Sequence, residues 1–378
     1  MTTTAIAALP EVARLTAALC EIPSPAGQEG AIAEVVRTEL RQLGMEVTED
    51  DAAERIPAGC GNILGRLAPT APGTPVMFCA HLDTVPVAGE IDVVVTDEGD
   101  LTNRHPAILG GDNKAAVAAI LVALRQVVAE GLPHAGIEVL FTPCEEISLR
   151  GSSLFDVARL SSALGFVYDH SGPVGGVVGA APTHSRITAT FRGRAAHAGL
   201  HPEDGRSAIL AAAAAVTAMP LGRIDAATTA NVGRIAGGVA TNVVAPTCTL
   251  VAEARSRDPR ALSDQVTAML DALTEAASAH ECDVESRVET MYHGYRLSER
   301  DPQVDMAMRA LRRAGHTPRL VPSGGGSDVN ALLRKGFPCA NLCNAMTDVH
   351  TADERIAVRD LEAMVDVTLA ILAEARAA

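Results

Sequence analysis

The chain has 378 residues with a formal charge of −15, and 48% of its side chains are apolar. This length predicts two domains, while the acidic balance argues against a nucleic-acid partner, because phosphate backbones are bound by clustered Lys and Arg. Aromatic residues make up only 2% of the chain, which also argues against a surface that stacks single-stranded bases.

The first half of the chain alternates helices and strands. Two helices are predicted in the first 45 residues, EVARLTAALCEI and GQEGAIAEVVRTELRQLG, the second ending at a Gly. Short runs rich in β-branched residues predict strands: NILGRL, PVMFCAHLDTV, GIEVLFTP and ALGFVYDHSG. A long helix, from about Asn113 to Ala129, lies among them. This order predicts an α/β fold with a mixed, mostly parallel sheet sandwiched by helices.

The pattern changes near Ala180 and returns near Ser298. Between them, four strands and two helices are predicted, the strands in HSRITATFRGRAAHA, TANVGRIAGG, TCTLVAEARSRD and CDVESRVETMY. After Ser298 the first pattern resumes, with helices and strands in PQVDMAMRALRRAG, TPRLVP, DVNALLRKG, FPCANLCN and LEAMVDVTLAILAEARA. We therefore predict a discontinuous domain, residues 1–182 and 297–378, interrupted by an α+β domain, residues 183–296.

The cysteines and apolar runs indicate a cytoplasmic protein without a membrane partner. The eight cysteines are irregularly spaced and form no CxxC pair, which favours free thiols in a reducing compartment over a disulfide framework. The start, MTTTAIAALPEVARL, lacks the features of a secretory signal. The run AILAAAAAVTAM has about 12 residues and is too short to span a bilayer as a helix.

Polar residues recur where predicted strands and helices meet. His81 ends an apolar run, and Asp83 follows on the same side of an extended chain, as a carboxylate that orients a metal-bound His would. A His satisfied within the core explains this position equally well. Asp112 follows two glycines at a helix start, where helix capping is the simpler explanation.

Three further sites follow predicted strands. Glu145 and Glu146 leave one strand together, and adjacent carboxylates are costly to bring together without a cation, although a solvated loop is the alternative. Asp169 and His350 follow two other strands. Loops beyond the carboxyl ends of strands form the active site in open α/β sheets. Two His and three carboxylates would suit two divalent ions with one carboxylate shared.

In their order, these motifs resemble a known family. HLDTVP, GGDNKAA, CEEISLRGS, VYDHSG and SGGGSDVN…VHTADERI are similar to motifs of the dizinc exopeptidases and deacylases that include peptidase T, carboxypeptidase G and aminoacylase, with the peptidase T-like branch nearest. The resemblance implies a dizinc metallopeptidase that hydrolyses short peptides, expected to be an aminopeptidase. The alternatives are a carboxypeptidase or a deacylase of small N-acyl amino acids.

The resemblance implies two divalent metal ions per chain and assigns their ligands. His81 and Asp169 would hold one ion, and Glu146 and His350 the other. Asp112 would bridge the two. Zinc is expected, with cobalt or manganese as alternatives, because this set of ligands tolerates all three.

The resemblance also assigns catalytic roles. Glu145 would be the general base that activates the water between the ions, and Asp83 would orient His81. A cis peptide bond is implied between Asp112 and Asn113, where many relatives have Asp in place of Asn. A binding protein without catalysis would be expected to lack a ligand or the base, whereas this chain has all of them.

In the inserted domain, the resemblance implies a lid and a homodimer contact. His197 would stabilise the oxyanion, and Asn231, Asn242 and Arg255 would contact substrate. The alternative for His197 is a surface residue, and for Asn231 and Asn242 it is the capping of turns. For Arg255 it is a pair with the neighbouring Glu253.

Outside the inserted domain, the run SGGGSDVN could suggest a phosphate cradle or a nucleophilic Ser, but it lacks the endings of both motifs. The loop at Gly325 is therefore expected to let the substrate backbone approach the metal ions.

Overall fold

The computed structural model describes residues 4–377, which divide into two compact units. The first contains the chain up to Gly179, Arg296–Ser323 and the chain from Ser327; the second contains Ala180–Tyr295 and Gly324–Gly326. Gly324–Gly326 belongs to the second unit, whereas the sequence predicts it in the first domain. Its Gly326 lies against the Tyr292 ring, where a Cβ atom would come within 2.5 Å of the ring. No helix of the described chain is long and apolar enough to cross a membrane.

The helices and strands of the described residues are as follows. The α-helices are α1 (Thr4–Ala7), α2 (Glu11–Cys20), α3 (Gly30–Gln42), α4 (Ala52–Arg55), α5 (Gly111–Glu130), α6 (Arg150–Leu154), α7 (Ala208–Ala218), α8 (Pro259–Ala279), α9 (Pro302–Arg313), α10 (Asp328–Arg334) and α11 (Val358–Ala377). The strands are β1 (Glu46–Glu49), β2 (Ile63–Leu67), β3 (Val76–His81), β4 (Val93–Val95), β5 (Asp100–Asn103), β6 (Ile137–Thr142), β7 (Leu164–His170), β8 (Gly176–Ala181), β9 (Thr183–Arg192), β10 (Gly222–Arg223), β11 (Thr228–Gly237), β12 (Thr247–Ser256), β13 (Asp283–Tyr292), β14 (Tyr295–Arg296), β15 (Arg319–Pro322), β16 (Cys339–Cys343) and β17 (Arg355–Ala357).

The large sheet is mixed, as predicted. Across the described residues its strand order is β1-β2-β6-β3-β7-β16-β8-β14, with β15 also paired to β8. The four central strands, β6, β3, β7 and β16, are parallel, whereas β1, β2 and β8 pair antiparallel. Every residue of β3 and β6 is buried, because helices cover the faces of a parallel sheet.

The Ala-rich helix α5 occupies the core of the first unit. Every residue from Asn113 to Leu124 is buried, and the helix packs against β3, β7, α2 and α11. A helix that is apolar on all sides is stable only in such a position. Small Ala side chains allow close packing on the sheet, so the start of α5 is held firmly.

The second unit has its own core beneath an antiparallel sheet. In the described chain the order is β10-β11-β12-β9-β13, and α7 and α8 pack on this sheet. Burial alternates along β9 and β12, as expected of strands covered on one face. The four long strands and two helices are as predicted, and the two-residue strand β10 is an addition.

A small sheet of β17, β5 and β4 was not predicted. Its strands have only three or four residues, too few for a clear pattern of alternation. β17 pairs antiparallel with β5, and this pairing anchors the chain just after His350.

Candidate metal centre

The parallel strands bring the candidate residues to one edge of the large sheet. His81 is the last residue of β3, and Asp169 is the last but one of β7. Glu145 and Glu146 lie in the loop after β6, and His350 lies in the loop after β16. Because these four strands are parallel, their carboxyl ends meet at the same edge, where α/β enzymes bind ligands.

The side chains form three overlapping groups of three in which the possible ligand atoms lie within 4.8 Å of one another. Two of them, His81–Asp112–Asp169 and Asp112–Glu146–His350, match the predicted ligand sets, and the third is His81–Glu145–Glu146. His81 Nε2 is 3.3 Å from Asp112 Oδ1 and 3.8 Å from Asp169 Oδ1. His350 Nε2 is 2.9 Å from Glu146 Oε1 and 3.4 Å from Asp112 Oδ2. Asp112 is common to the two matching groups, as a bridging ligand would be.

The Asp112 carboxylate faces the two imidazoles rather than capping α5. The helix N-cap is Gly110, without any side-chain cap, and Asp112 itself has non-helical backbone angles. The peptide bond from Asp112 to Asn113 is cis. Asp112 Oδ1 is buried, and it has no hydrogen-bond donor among the described residues when His81 Nε2, 3.3 Å away, is unprotonated. A buried carboxylate oxygen of this kind is costly unless a cation satisfies it, so the donor set fits divalent metal ions.

His81 presents its Nε2 to the other ligands. Its Nδ1 lies 2.8 Å from the carbonyl oxygen of Asp83, which can only accept, so in the neutral imidazole Nδ1 carries the proton and Nε2 presents its lone pair. The Asp83 carboxylate is 3.6 Å from Nδ1 and accepts hydrogen bonds from the backbone N–H groups of Glu145 and Glu146, at 2.8 Å and 3.0 Å. Asp83 therefore holds the Glu145 loop as well as His81.

The cluster concentrates charge in a buried place. Burial and the charge of Asp169 raise the pKa of Glu145 well above its ordinary value. Contacts with Asp112 and Glu146 raise the pKa of His350 to about 10. Burial opposes protonation of His81, yet contacts with the surrounding carboxylates raise its pKa well above the ordinary value. Divalent cations bound here would balance the same negative charge and compete with protons for these side chains.

Comparison with known proteins identifies the family. Residues 77–374 match the model of peptidase family M20/M25/M40. The chain belongs to this family. Over 357 residues it is 36% identical to the uncharacterized protein YqjE of Bacillus subtilis, covering 94% of this chain and 96% of that one. The resemblance predicted from the motifs is thereby confirmed.

Solved structures agree with the M20/M25/M40 assignment. The chain is similar to an aminopeptidase PepT from Bacillus cereus, with 36% identity and a TM-score of 0.83. It is also similar to a tripeptidase from Staphylococcus aureus, with 34% identity and a TM-score of 0.89. Each comparison covers 97% of this chain and 98% of the other. The fold of the chain is therefore that of an M20/M25/M40 peptidase.

Two of the predicted residues of the inserted domain lie close together on the second unit. His197 is exposed, forms a β-bridge with Val243, and accepts a hydrogen bond at Nδ1 from the Gly199 N–H, at 3.2 Å. The carbonyl of Asn242 accepts from the N–H of Ala198 at 3.0 Å. The proposed roles of His197 and Asn242 stay predictions.

Asn231 and Arg255 lie on the neighbouring strands β11 and β12. Asn231 is exposed and paired in register with Glu253. Arg255 forms two hydrogen bonds to the Glu253 carboxylate, at 2.9 Å and 3.0 Å, so the alternative of a neighbouring Glu partner holds for this conformation. Contacts with His184 and Arg255 outweigh burial and lower the pKa of Glu253 to about 2. Gly325 lies in a bend before α10, half-buried.

Two buried residues that sequence reasoning missed hold the site in place. Glu29 accepts hydrogen bonds from the backbone N–H groups of Gly27, Gly59 and Cys144, at 2.8 Å, 2.6 Å and 3.2 Å. Cys144 directly precedes Glu145. Asn341 bonds both the N–H and the carbonyl of Asp169, each at 2.9 Å. The only sequence signals are a polar residue inside the strand run FPCANLCN and an acid in SPAGQEG, neither of which identifies a partner.

Proposed function

We propose that this chain is a metal-dependent aminopeptidase that removes the first residue from short peptides, tripeptides above all. The observation that carries the proposal is the pair of three-residue groups that share Asp112 at the edge of the sheet. Membership of the M20/M25/M40 peptidase family supports hydrolysis of a peptide bond. Similarity to an aminopeptidase and a tripeptidase supports a short substrate with a free amino terminus.

The chemistry would be divided between the metal ions and the protein. Two divalent cations held by His81, Asp112, Glu146, Asp169 and His350 would supply a Lewis acid for the scissile carbonyl and lower the pKa of water. Glu145 would take the proton of the attacking water and pass it to the leaving amine nitrogen. Its backbone N–H is held by the Asp83 carboxylate, and its own carboxylate lies within 4.8 Å of possible ligand atoms of His81 and Glu146, so it is close to the reaction site before the substrate arrives.

The test is to incubate protein loaded with Zn²⁺, Co²⁺ or Mn²⁺ with Leu-Gly-Gly and to identify the products by mass spectrometry. An aminopeptidase releases Leu and Gly-Gly, whereas a carboxypeptidase releases Gly and Leu-Gly. N-acetyl-Leu-Gly-Gly lacks the free amino group and should not be cleaved by an aminopeptidase.

N-acetyl-leucine separates a peptidase from a deacylase. Rapid release of acetate together with intact Leu-Gly-Gly would contradict the proposal and support the deacylase alternative. Protein treated with a chelator serves as the control, and hydrolysis that persists without metal would also contradict the proposal.

A further inference from the structure

A buried carboxylate next to the candidate metal centre is not one of the proposed ligands. The side chain of Glu354 is only 1% exposed. Its Oε2 accepts a hydrogen bond from the N–H of Gly110 and its Oε1 accepts one from the N–H of Asp112, each at 3.0 Å. Glu354 thus bonds the backbone on both sides of Gly111, directly before the carboxylate shared by both ligand groups.

The backbone that Glu354 holds is unusual. Gly110 has a φ of 74°, in the left-handed region that glycine adopts readily. Asp112 follows with non-helical angles, so the N–H groups at this end of α5 are not arranged as in a regular first turn. Two acceptor oxygens in one rigid carboxylate match two N–H donors, and this fixes the direction in which the Asp112 side chain leaves the chain.

Glu354 is also anchored on its own side. Its carbonyl accepts a hydrogen bond from the Thr102 hydroxyl at 3.1 Å, and its N–H donates to Thr351 at 3.3 Å. The next residue begins β17, which pairs with β5. His350, a proposed ligand of one metal ion, lies four positions earlier. The same short segment therefore also carries the hydrogen bond to Asp112, the proposed ligand of both ions.

Burying the Glu354 carboxylate costs desolvation free energy that an apolar side chain at this position would not cost. Burial raises the pKa of Glu354, opposed by the hydrogen bonds from Asp112 and Gly110. The nearby ammonium of Lys114 is fully buried and donates to the Ile22 carbonyl at 2.5 Å rather than to an acid. The desolvation of the Glu354 carboxylate is instead offset by backbone N–H groups directly before the Asp112 side chain, which favours a role in the adjacent site.

We propose that Glu354 is a positioning residue that fixes Asp112 for simultaneous contact with both metal ions and ties it to the segment carrying His350. The inference rests on the proposed metal-dependent function. It places Glu354 behind the ligands, in the way that groups hydrogen-bonded to metal ligands tune affinity in other metalloproteins. Because Asp112 is shared, loss of Glu354 should weaken the binding of both ions rather than one.

The variant Glu354→Gln tests the role of the second acceptor oxygen. An amide keeps one carbonyl oxygen, but its NH₂ group would face a backbone N–H donor. Glu138→Gln is the matched control. Glu138 is also a buried carboxylate that accepts backbone bonds, from Ser161 at 3.0 Å and Ser162 at 2.8 Å, but it lies near the start of β6, at the other end of the strand from the metal centre.

The experiment titrates metal-free full-length protein with Co²⁺ alone and follows the visible absorption of the bound ion. We expect the affinity of Glu354→Gln to fall by about 10–100-fold relative to the wild type, with kcat reduced at saturating Co²⁺. Glu138→Gln should bind as the wild type does, although thermal unfolding in chelator should show it to be less stable. Wild-type Co²⁺ affinity in a folded Glu354→Gln protein would overturn the inference.

Glu354→Asp covers the case in which Glu354→Gln does not fold. It keeps both acceptor oxygens but is one methylene shorter, so its Co²⁺ affinity should lie below that of the wild type; unchanged affinity would again overturn the inference. The proposed function fails separately, if the wild-type protein binds no Co²⁺ or leaves Leu-Gly-Gly intact. Wild-type binding and cleavage together with unchanged variants would refute only the role of Glu354.

Discussion

At the scale of single residues, the carboxylates of the centre differ in their contacts. The Asp112 oxygens face His81 and His350, whereas Asp83 uses its oxygens for the backbone N–H groups of Glu145 and Glu146. Glu145 is buried and also lies within ligand distance of His81 and Glu146. We therefore expect identical functional groups to serve as ligand, base or anchor according to what surrounds them.

The prediction at this scale separates base from ligand. Glu145→Gln keeps the size of the side chain but cannot take a proton, so kcat for Leu-Gly-Gly should fall by about 10²–10⁴-fold. Metal analysis by mass spectrometry should still find two ions per chain. The adjacent variant Glu146→Gln removes a proposed ligand and should lower metal content as well as activity. If Glu145→Gln instead loses metal while retaining turnover by the loaded fraction, the two roles have been exchanged.

At the scale of elements, the loops after β6 and β16 are held in unusual conformations. Cys144, Ser148 and Leu149 have positive φ angles, of 56°, 81° and 58°, and His350 has one of 66°. Residues other than Gly rarely adopt this region, and surrounding contacts must maintain it. In the loop after β6, Glu29 and Asp83 provide those contacts through backbone hydrogen bonds.

The prediction for this element concerns Glu29. In Glu29→Gln the amide can accept at only one end, so at least one N–H of Gly27, Gly59 and Cys144 loses its hydrogen bond to a carboxylate oxygen, at a cost of roughly 1–3 kcal/mol in the free energy of unfolding. Because the same carboxylate holds Cys144, we also expect a lower kcat from misplaced Glu145. Urea unfolding and steady-state kinetics measure the two effects. A destabilised variant with unchanged kcat would show that Glu29 supports the fold without positioning the base.

At the scale of the whole molecule, the surface of the second unit offers a place for self-association. β10 pairs only with Thr229 and Ala230, so the outer edge of β11 beyond them is open among the described residues. Ile235 of β11 is 49% exposed, Val239, which follows the strand, is 74% exposed, and Leu210 of α7 is 59% exposed. Open edges with apolar neighbours tend to pair with another chain. We propose a homodimer formed through this surface.

Replacing both Ile235 and Val239 with Lys should shift the protein to a monomer, because charge on the edge strand, at Ile235, and just beyond its end, at Val239, opposes pairing. Sedimentation velocity measures the mass. Leu320→Lys is the control, since Leu320 is an exposed apolar residue of the first unit and should leave the mass unchanged. A wild-type protein that sediments as a monomer would refute the dimer.

Much of the fold followed from local patterns. Apolar runs of five to seven residues predicted β2, β3, β6, β7 and β16, because strands buried on both faces need continuous apolar sequence. The Ala-rich stretch predicted α5, because a helix buried on all sides also needs continuous apolar sequence. The short strands β4, β5 and β17 were not predicted, since three or four residues carry too little pattern to distinguish a strand from a loop.

For the site, the sequence by itself determined which side chains stand at strand ends and in what order, and hence the family. It left Asp112 open between helix cap and ligand, and only the tertiary structure showed its carboxylate between two imidazoles. Glu29 and Glu354 were missed because their partners are backbone N–H groups up to 115 and 244 positions away. Every residue has such a group, so the sequence marks none of them; only folding decides which ones meet a buried carboxylate.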